Sequence, residues 1–96
     1  MILRQKQSQF VEMVALLIQF ATWKGYELTF GDAYATDGHK EDSFHYKRLA
    51  VDLNLFKGGK YLINTKDHQE LGNYWESIGG TWGGRWDDGN HYSFGE

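Results

Sequence analysis

Two short stretches carry the residue types that hydrolytic chemistry needs. In DSFHYKRLAVDLNLF, residues 42–56, His45 and Asp52 lie seven positions apart, and in DDGNHYSF, residues 87–94, Asp88 precedes His91 by three. The chain contains four histidines and no cysteine, so disulfides and thiolate metal sites are excluded and any metal must be held by His, Asp or Glu. Two histidines and one aspartate from three places would give Zn²⁺ three protein ligands and leave its fourth position to water, the form of a catalytic rather than a structural site. A further carboxylate nearby can then accept a proton from the attacking water. Spacing alone leaves a second reading open, in which these are hydrogen-bonded surface or turn residues, because such pairs recur by chance.

Convergence depends on the elements that carry these side chains. Leu49, Val51, Leu53 and Leu55 alternate with Ala50, Asp52, Asn54 and Phe56, which predicts a strand over about 49–57 with Asp52 on its polar face. An odd offset of seven places His45 and Asp52 on opposite sides of a straight strand, so a bend at Tyr46 to Arg48 is required. Gly58-Gly59 then predicts a hairpin into Lys60 to Asn64. Before this unit, Phe10, Met13, Val14, Leu17, Ile18 and Ala21 follow helical spacing over about 5–24, with Gly25 as the stop. Tyr26, Leu28 and Phe30 form the apolar side of a first strand packed on that helix, and GDAYATDGHKEDS reads as a loop. Thr65 offers an N-cap for a second helix over about 66–78, ending at Gly79-Gly80. TWGGRWDDGN reads as a glycine-rich aromatic loop leading to a short strand at 91–94, with His91 and Ser93 on one face. The expected fold is a single α+β domain over residues 1–96, a small, mostly antiparallel sheet with two helices on one face.

Other chemistry-bearing residues have plainer readings. His39 is read as a solvated loop residue and His68 as exposed on the helix surface. Trp75 and Tyr74 fall on the apolar stripe of the second helix. Trp82 fits core or groove equally, and Trp86 is read as a groove wall. The acidic pairs at 41–42 and 87–88 lack the ligand spacing of a calcium loop. A net charge of -3 with scattered basic residues disfavours nucleic acid as a partner. Gln9, Glu12 and Gln19 interrupt the apolar run of the N-terminal segment, so it reads as neither a signal peptide nor a membrane span. A cytoplasmic location in the producing cell and a monomeric state are expected.

The run Ser43-Phe44-His45, continued by Ala50-Val51-Asp52, resembles the S-x-H-x-x-G-x-A-x-D motif of the M15 zinc peptidases, and Asp88-x-x-His91 is similar to that family's second motif. SFHYKRLAVDLNLF followed by DGNHYSF is closer still to the short L-alanyl-D-glutamate endopeptidase branch of phage and prophage endolysins. The resemblance implies a Hedgehog/DD-peptidase-like fold, Zn²⁺ held by His45, Asp52 and His91, and Asp88 as the general base. It implies the peptidoglycan stem peptide as substrate, with action on the cell wall after release from the cell. Ser43 would support the loop or a ligand through an outer hydrogen bond. Arg48 stands where the broader motif has glycine and is expected to influence substrate contacts. Where many relatives carry an arginine in Tyr-Arg-Thr, this chain has Tyr34-Ala35-Thr36. An oxyanion donor is worth on the order of a hundredfold or more in rate, so Arg48 or Arg85 would have to substitute, or the metal would carry the charge. The alternatives are a metal-binding but weakly active or inactive peptidoglycan-binding module, a D-Ala-D-Ala carboxypeptidase, and a zinc-free structural domain.

Overall fold

The buried stripe Phe10, Met13, Leu17 and Ala21 lies along helix α1, Leu3–Trp23. Gly25 ends it at φ 90°, where only glycine is unstrained. The amide of Tyr26 donates to the Ala21 carbonyl at 2.9 Å and that of Gly25 to Thr22 at 3.0 Å, the paired bonds of a Schellman motif. In this computed structural model, which describes residues 1–95, the chain continues through strands β1 (Glu27–Phe30), β2 (Ala50–Lys57) and β3 (Lys60–Leu62) to helix α2 (Gln69–Ser77), then β4 (Thr81–Trp82) and β5 (His91–Ser93). All pairings are antiparallel, in the order β1-β2-β5-β4, with β3 also paired to β2. The α+β architecture is therefore as expected.

Strand β2 organises the molecule. Val51, Leu53 and Leu55 are buried in the core with Leu17, Leu71 and Trp75 from the two helices, while Asp52 and Asn54 face the other way. Gly58 and Gly59, at φ 58° and 78°, make the tight turn into β3. The Trp75 indole meets Phe10 edge-on at 5.9 Å and donates to the Ser93 carbonyl at 2.8 Å, pinning α2 to α1 and to the last strand. Gly72 makes the close approach on α2 possible, since a Cβ there would sit 2.1 Å from the Trp82 ring. No helix among the described residues is long and apolar enough to cross a membrane.

Four expectations are corrected. Phe30 is 64% exposed rather than packed on α1, because it ends the edge strand β1, and the apolar contact with the core is made by Leu28 and by Tyr26 just before the strand. The second helix begins with a 3₁₀ turn, Thr65–His68, capped at Asn64, whose amide donates to Asp67 Oδ2 at 3.1 Å. Thr65 instead accepts a hydrogen bond from the Gly89 amide at 3.2 Å. TWGG is not all loop: Thr81 and Trp82 pair with Ser93 and Tyr92, and a 3₁₀ turn follows over Gly83–Trp86. A two-residue strand has no periodicity for a pattern to reveal. Trp82 itself is core.

The fourth correction concerns His68, which is 2% exposed and lies 2.8 Å, through Nδ1, from the Tyr92 hydroxyl. The tight first turn rotates it inward, off the surface that a regular α-helix would give it. Burial lowers its pKa from 6.5 to about 4, against a small opposing pull from Asp67. Between these values the unfolded chain binds the proton and the native protein does not, so stability is complete above pH 6.5 and declines as pH falls through 4. At about 1.4 kcal/mol per pH unit the loss is about 3 kcal/mol. Urea unfolding at a series of pH values should show this slope, and His68→Gln, which keeps a polar group without the titration, should flatten it.

Candidate metal centre

The bend that the odd offset demands is a 3₁₀ turn, Phe44–Lys47. Ser43 caps it, its Oγ accepting the His45 amide at 3.2 Å. The turn closes at Arg48, which adopts the left-handed conformation at φ 58° with its amide donating to the His45 carbonyl at 3.3 Å. Glycine adopts that conformation without strain, which gives a physical reason for the glycine of the motif at this position. The Arg48 guanidinium lies 4.3 Å over the Tyr34 ring and does not line the groove around His45, so its visible role is in the bend rather than at a substrate surface.

The antiparallel register pairs Asp52 of β2 directly with His91 of β5. His45, delivered by the turn, completes a convergence: its Nε2 lies 3.2 Å from Asp52 Oδ1, and His91 Nδ1 lies 3.6 Å from the same oxygen. One donor atom from each of the three residues falls within 4.8 Å of the others. Tetrahedral zinc with ligands at about 2.0–2.1 Å sets neighbouring donors about 3.3 Å apart, so the two measured separations fit. Asp52 Oδ1 is buried and no hydrogen bond satisfies it. An unsatisfied buried carboxylate oxygen beside two buried imidazoles is costly unless a cation accompanies it. Burial lowers the His45 pKa, opposed by Asp52, and so favours the neutral imidazole that coordinates metal.

These residues line an open groove with a cavity volume of 350 Å³. Asp88, half-exposed on its wall, brings Oδ2 to 4.0 Å from His91 Nδ1. Trp86 faces the same groove, its ring centroid 5.7 Å from that of His91. Ser43 also reaches the lining. Among the described residues Lys40 is the only Lys or Arg in the lining, because Arg85 is drawn away to Glu76 at 2.9 Å. The Ala35 amide approaches the His45 carbonyl at 3.4 Å, so position 35 borders the site but presents only a methyl group.

His39, expected as a solvated loop residue, lies instead against the site. Its ring stacks on His45 at 4.2 Å, and its Nε2 meets Asp32 Oδ2 at 2.9 Å. The Tyr46 hydroxyl accepts the His39 amide and donates to the His39 carbonyl, each at 2.8 Å, which folds the loop back over the site. The loop has no periodicity, and the one available sign was the Asp32 and His39 pair within it.

No curated protein and no solved structure matches the chain. A family profile does, over residues 36–94, which includes Ser43, His45, Asp52, Asp88 and His91 and is described as D-alanyl-D-alanine carboxypeptidase. The match covers more than half the sequence and spans every residue of the convergent cluster, so the chain belongs to the M15 peptidase family.

Proposed function

We propose that this protein is a zinc-dependent peptidoglycan peptidase in which residues 1–96 form one catalytic domain. The observation that carries the reading is the convergence of His45 Nε2, Asp52 Oδ1 and His91 Nδ1 on one side of an open groove. His45, Asp52 and His91 would hold Zn²⁺ with a net single negative charge from the protein. When bound, the ion supplies a Lewis acid and a water of lowered pKa.

The chain's own residues do the rest. Asp88, accessible from the groove, takes a proton from the attacking water and passes it to the leaving amine, which needs a carboxylate within reach of both positions. Ser43 and the Phe44–Lys47 turn fix the His45 ring, and stacking by His39 restricts its rotation. Trp86 walls the peptide, and Lys40 offers a charge complement to a stem-peptide carboxylate. The absence of an arginine at Ala35 removes one candidate oxyanion donor, and this motivates the competing reading of a metal-binding module with weak turnover.

The sequence motifs favour the L-alanyl-D-glutamate bond and a phage or prophage endolysin, made in the cytoplasm and acting on the wall after release. The description of the matching family favours a second reading, D-Ala-D-Ala carboxypeptidase. Digestion of purified peptidoglycan, with new amino ends identified by mass spectrometry, separates them. The expected result is new amino-terminal glutamate, abolished by a chelator and restored by zinc. Free D-alanine as the sole product would establish the carboxypeptidase instead, and no product of either kind would leave the binding-module reading.

A further inference from the structure

The loop between β1 and the Phe44–Lys47 turn is tied to the backbones of two of the three converging residues. At its start the Gly31 amide donates to the Asp52 carbonyl at 2.8 Å, and the Asp52 amide donates to the Asp32 carbonyl at 2.7 Å. Glycine suits this approach, since a Cβ at position 31 would press on that of Asp52 at 3.1 Å. Further along, the Ala35 amide reaches the His45 carbonyl at 3.4 Å, and the Arg48 guanidinium covers the Tyr34 ring. At His39 the loop crosses the site, and Tyr46 fixes it there. One hydroxyl satisfies both backbone groups of His39, accepting from its amide and donating to its carbonyl, while the Tyr46 and His39 rings meet edge-on at 5.9 Å.

The state of the His45 ring gives this fixation a purpose. A metal-bound imidazole normally donates its second ring N–H to a carboxylate, a carbonyl or water, and that bond holds the ring plane. In this protein Nε2 of His45 faces Asp52, whereas Nδ1 is buried and no hydrogen bond satisfies it. The contact that restrains the ring is instead the face of His39, stacked at 4.2 Å with the two planes 21° apart. Asp32 Oδ2 holds the far side of that second ring at 2.9 Å. With its amide, carbonyl and Nε2 all engaged, His39 forms a fixed plate against His45.

We propose that Tyr46 is a positioning residue for the metal centre: by holding His39 against the face of His45, it takes the place of the outer hydrogen bond that this imidazole lacks. The role rests on the metal-centre reading above. Toward His45 it is the ring of His39 that acts, and Tyr46 acts only through that ring.

The test compares zinc affinity, measured by competition with a chromophoric chelator, across four variants. Tyr46→Phe removes the hydroxyl and keeps the ring, and its affinity should fall about 10-fold, the low end of the effect of outer partners on metal ligands. His39→Ala should lose at least as much, and His39→Phe, which keeps a stacking ring, should recover most of the loss. Tyr46→Phe combined with His39→Ala should lose no more than His39→Ala alone, since the two residues act in series. The visible spectrum of the cobalt-loaded protein should change in Tyr46→Phe and His39→Ala as the His45 ring tilts. In the metal-free protein the His39 amide should exchange with solvent faster in Tyr46→Phe, which reads the loop contact without any metal. The two His39 variants differ by one side chain in a partly exposed loop, so their comparison decides the matter even if Tyr46→Phe disturbs the turn. Unchanged zinc affinity in Tyr46→Phe and His39→Ala, additive losses in the double variant, equal losses in His39→Ala and His39→Phe, or no faster exchange at His39 would overturn the positioning role alone. Failure of the unaltered protein to bind zinc would overturn the metal centre and this role with it.

Discussion

Asp52→Asn is expected to abolish stable metal binding and hydrolysis of peptidoglycan together, while leaving the metal-free fold intact. The change is nearly isosteric, and it removes the only formal negative charge among the three converging donors. Even outer partners of metal ligands are worth about 10–100-fold in affinity, so loss of this charge should weaken zinc by at least about a hundredfold. The metal-free protein should not suffer, because the buried Oδ1 that no hydrogen bond satisfies is exchanged for a neutral group. Zinc content after dialysis, peptidoglycan turnover and thermal melting together check this. A melting temperature within about 5 °C of the unaltered metal-free protein corresponds to about 1 kcal/mol in a domain of this size. Retention of stoichiometric zinc by Asp52→Asn would remove this residue from the metal site.

Asp88→Asn is expected to have the opposite signature, with zinc retained and the rate lost. Its Oδ2 stands 4.0 Å from His91 Nδ1, outside the tight set of donors but facing the same groove. General acid and base catalysis contributes about 10²–10⁴-fold, and kcat should fall by a factor in that range with a much smaller change in KM. The loop should hold, because the bonds at this position that shape it are made by the backbone: Asp88 N to Gly83 O and His91 N to Asp88 O. Comparing kcat, KM and zinc content of this variant with those of Asp52→Asn separates proton transfer from metal loading. Full kcat in Asp88→Asn would rule out its role as the base.

The two variants differ in how directly the sequence pointed to their positions. Asp52 was legible because period-two alternation sorts a strand into faces without reference to anything distant, and the leucines mark which face is buried. The need for a bend after His45 was legible too, from the parity of its offset. The left-handed backbone at Arg48 that completes the bend was not, because nothing in the sequence announces a positive φ at an arginine. The pairing of Asp52 with His91 is a matter of register between strands nearly forty residues apart, and local pattern does not determine it. His68 was misplaced for a related reason: a 3₁₀ turn shifts the phase of the helix start, and the Tyr92 hydroxyl it faces comes from another strand.

The sequence by itself determined the α+β class, the hairpin at Gly58-Gly59, the stripe of α1, and the chemical types available to a site without cysteine. These depend on local periodicity, backbone stereochemistry and composition, which are properties of neighbouring residues. Only the tertiary structure decided which of those groups share a volume. It drew His39 over His45, turned Arg48 and Arg85 away from the groove and left Lys40 in it, and buried His68. Such placements follow from long-range packing of α2 and β5 against β2, whose free energy is shared among contacts that no short window of sequence contains.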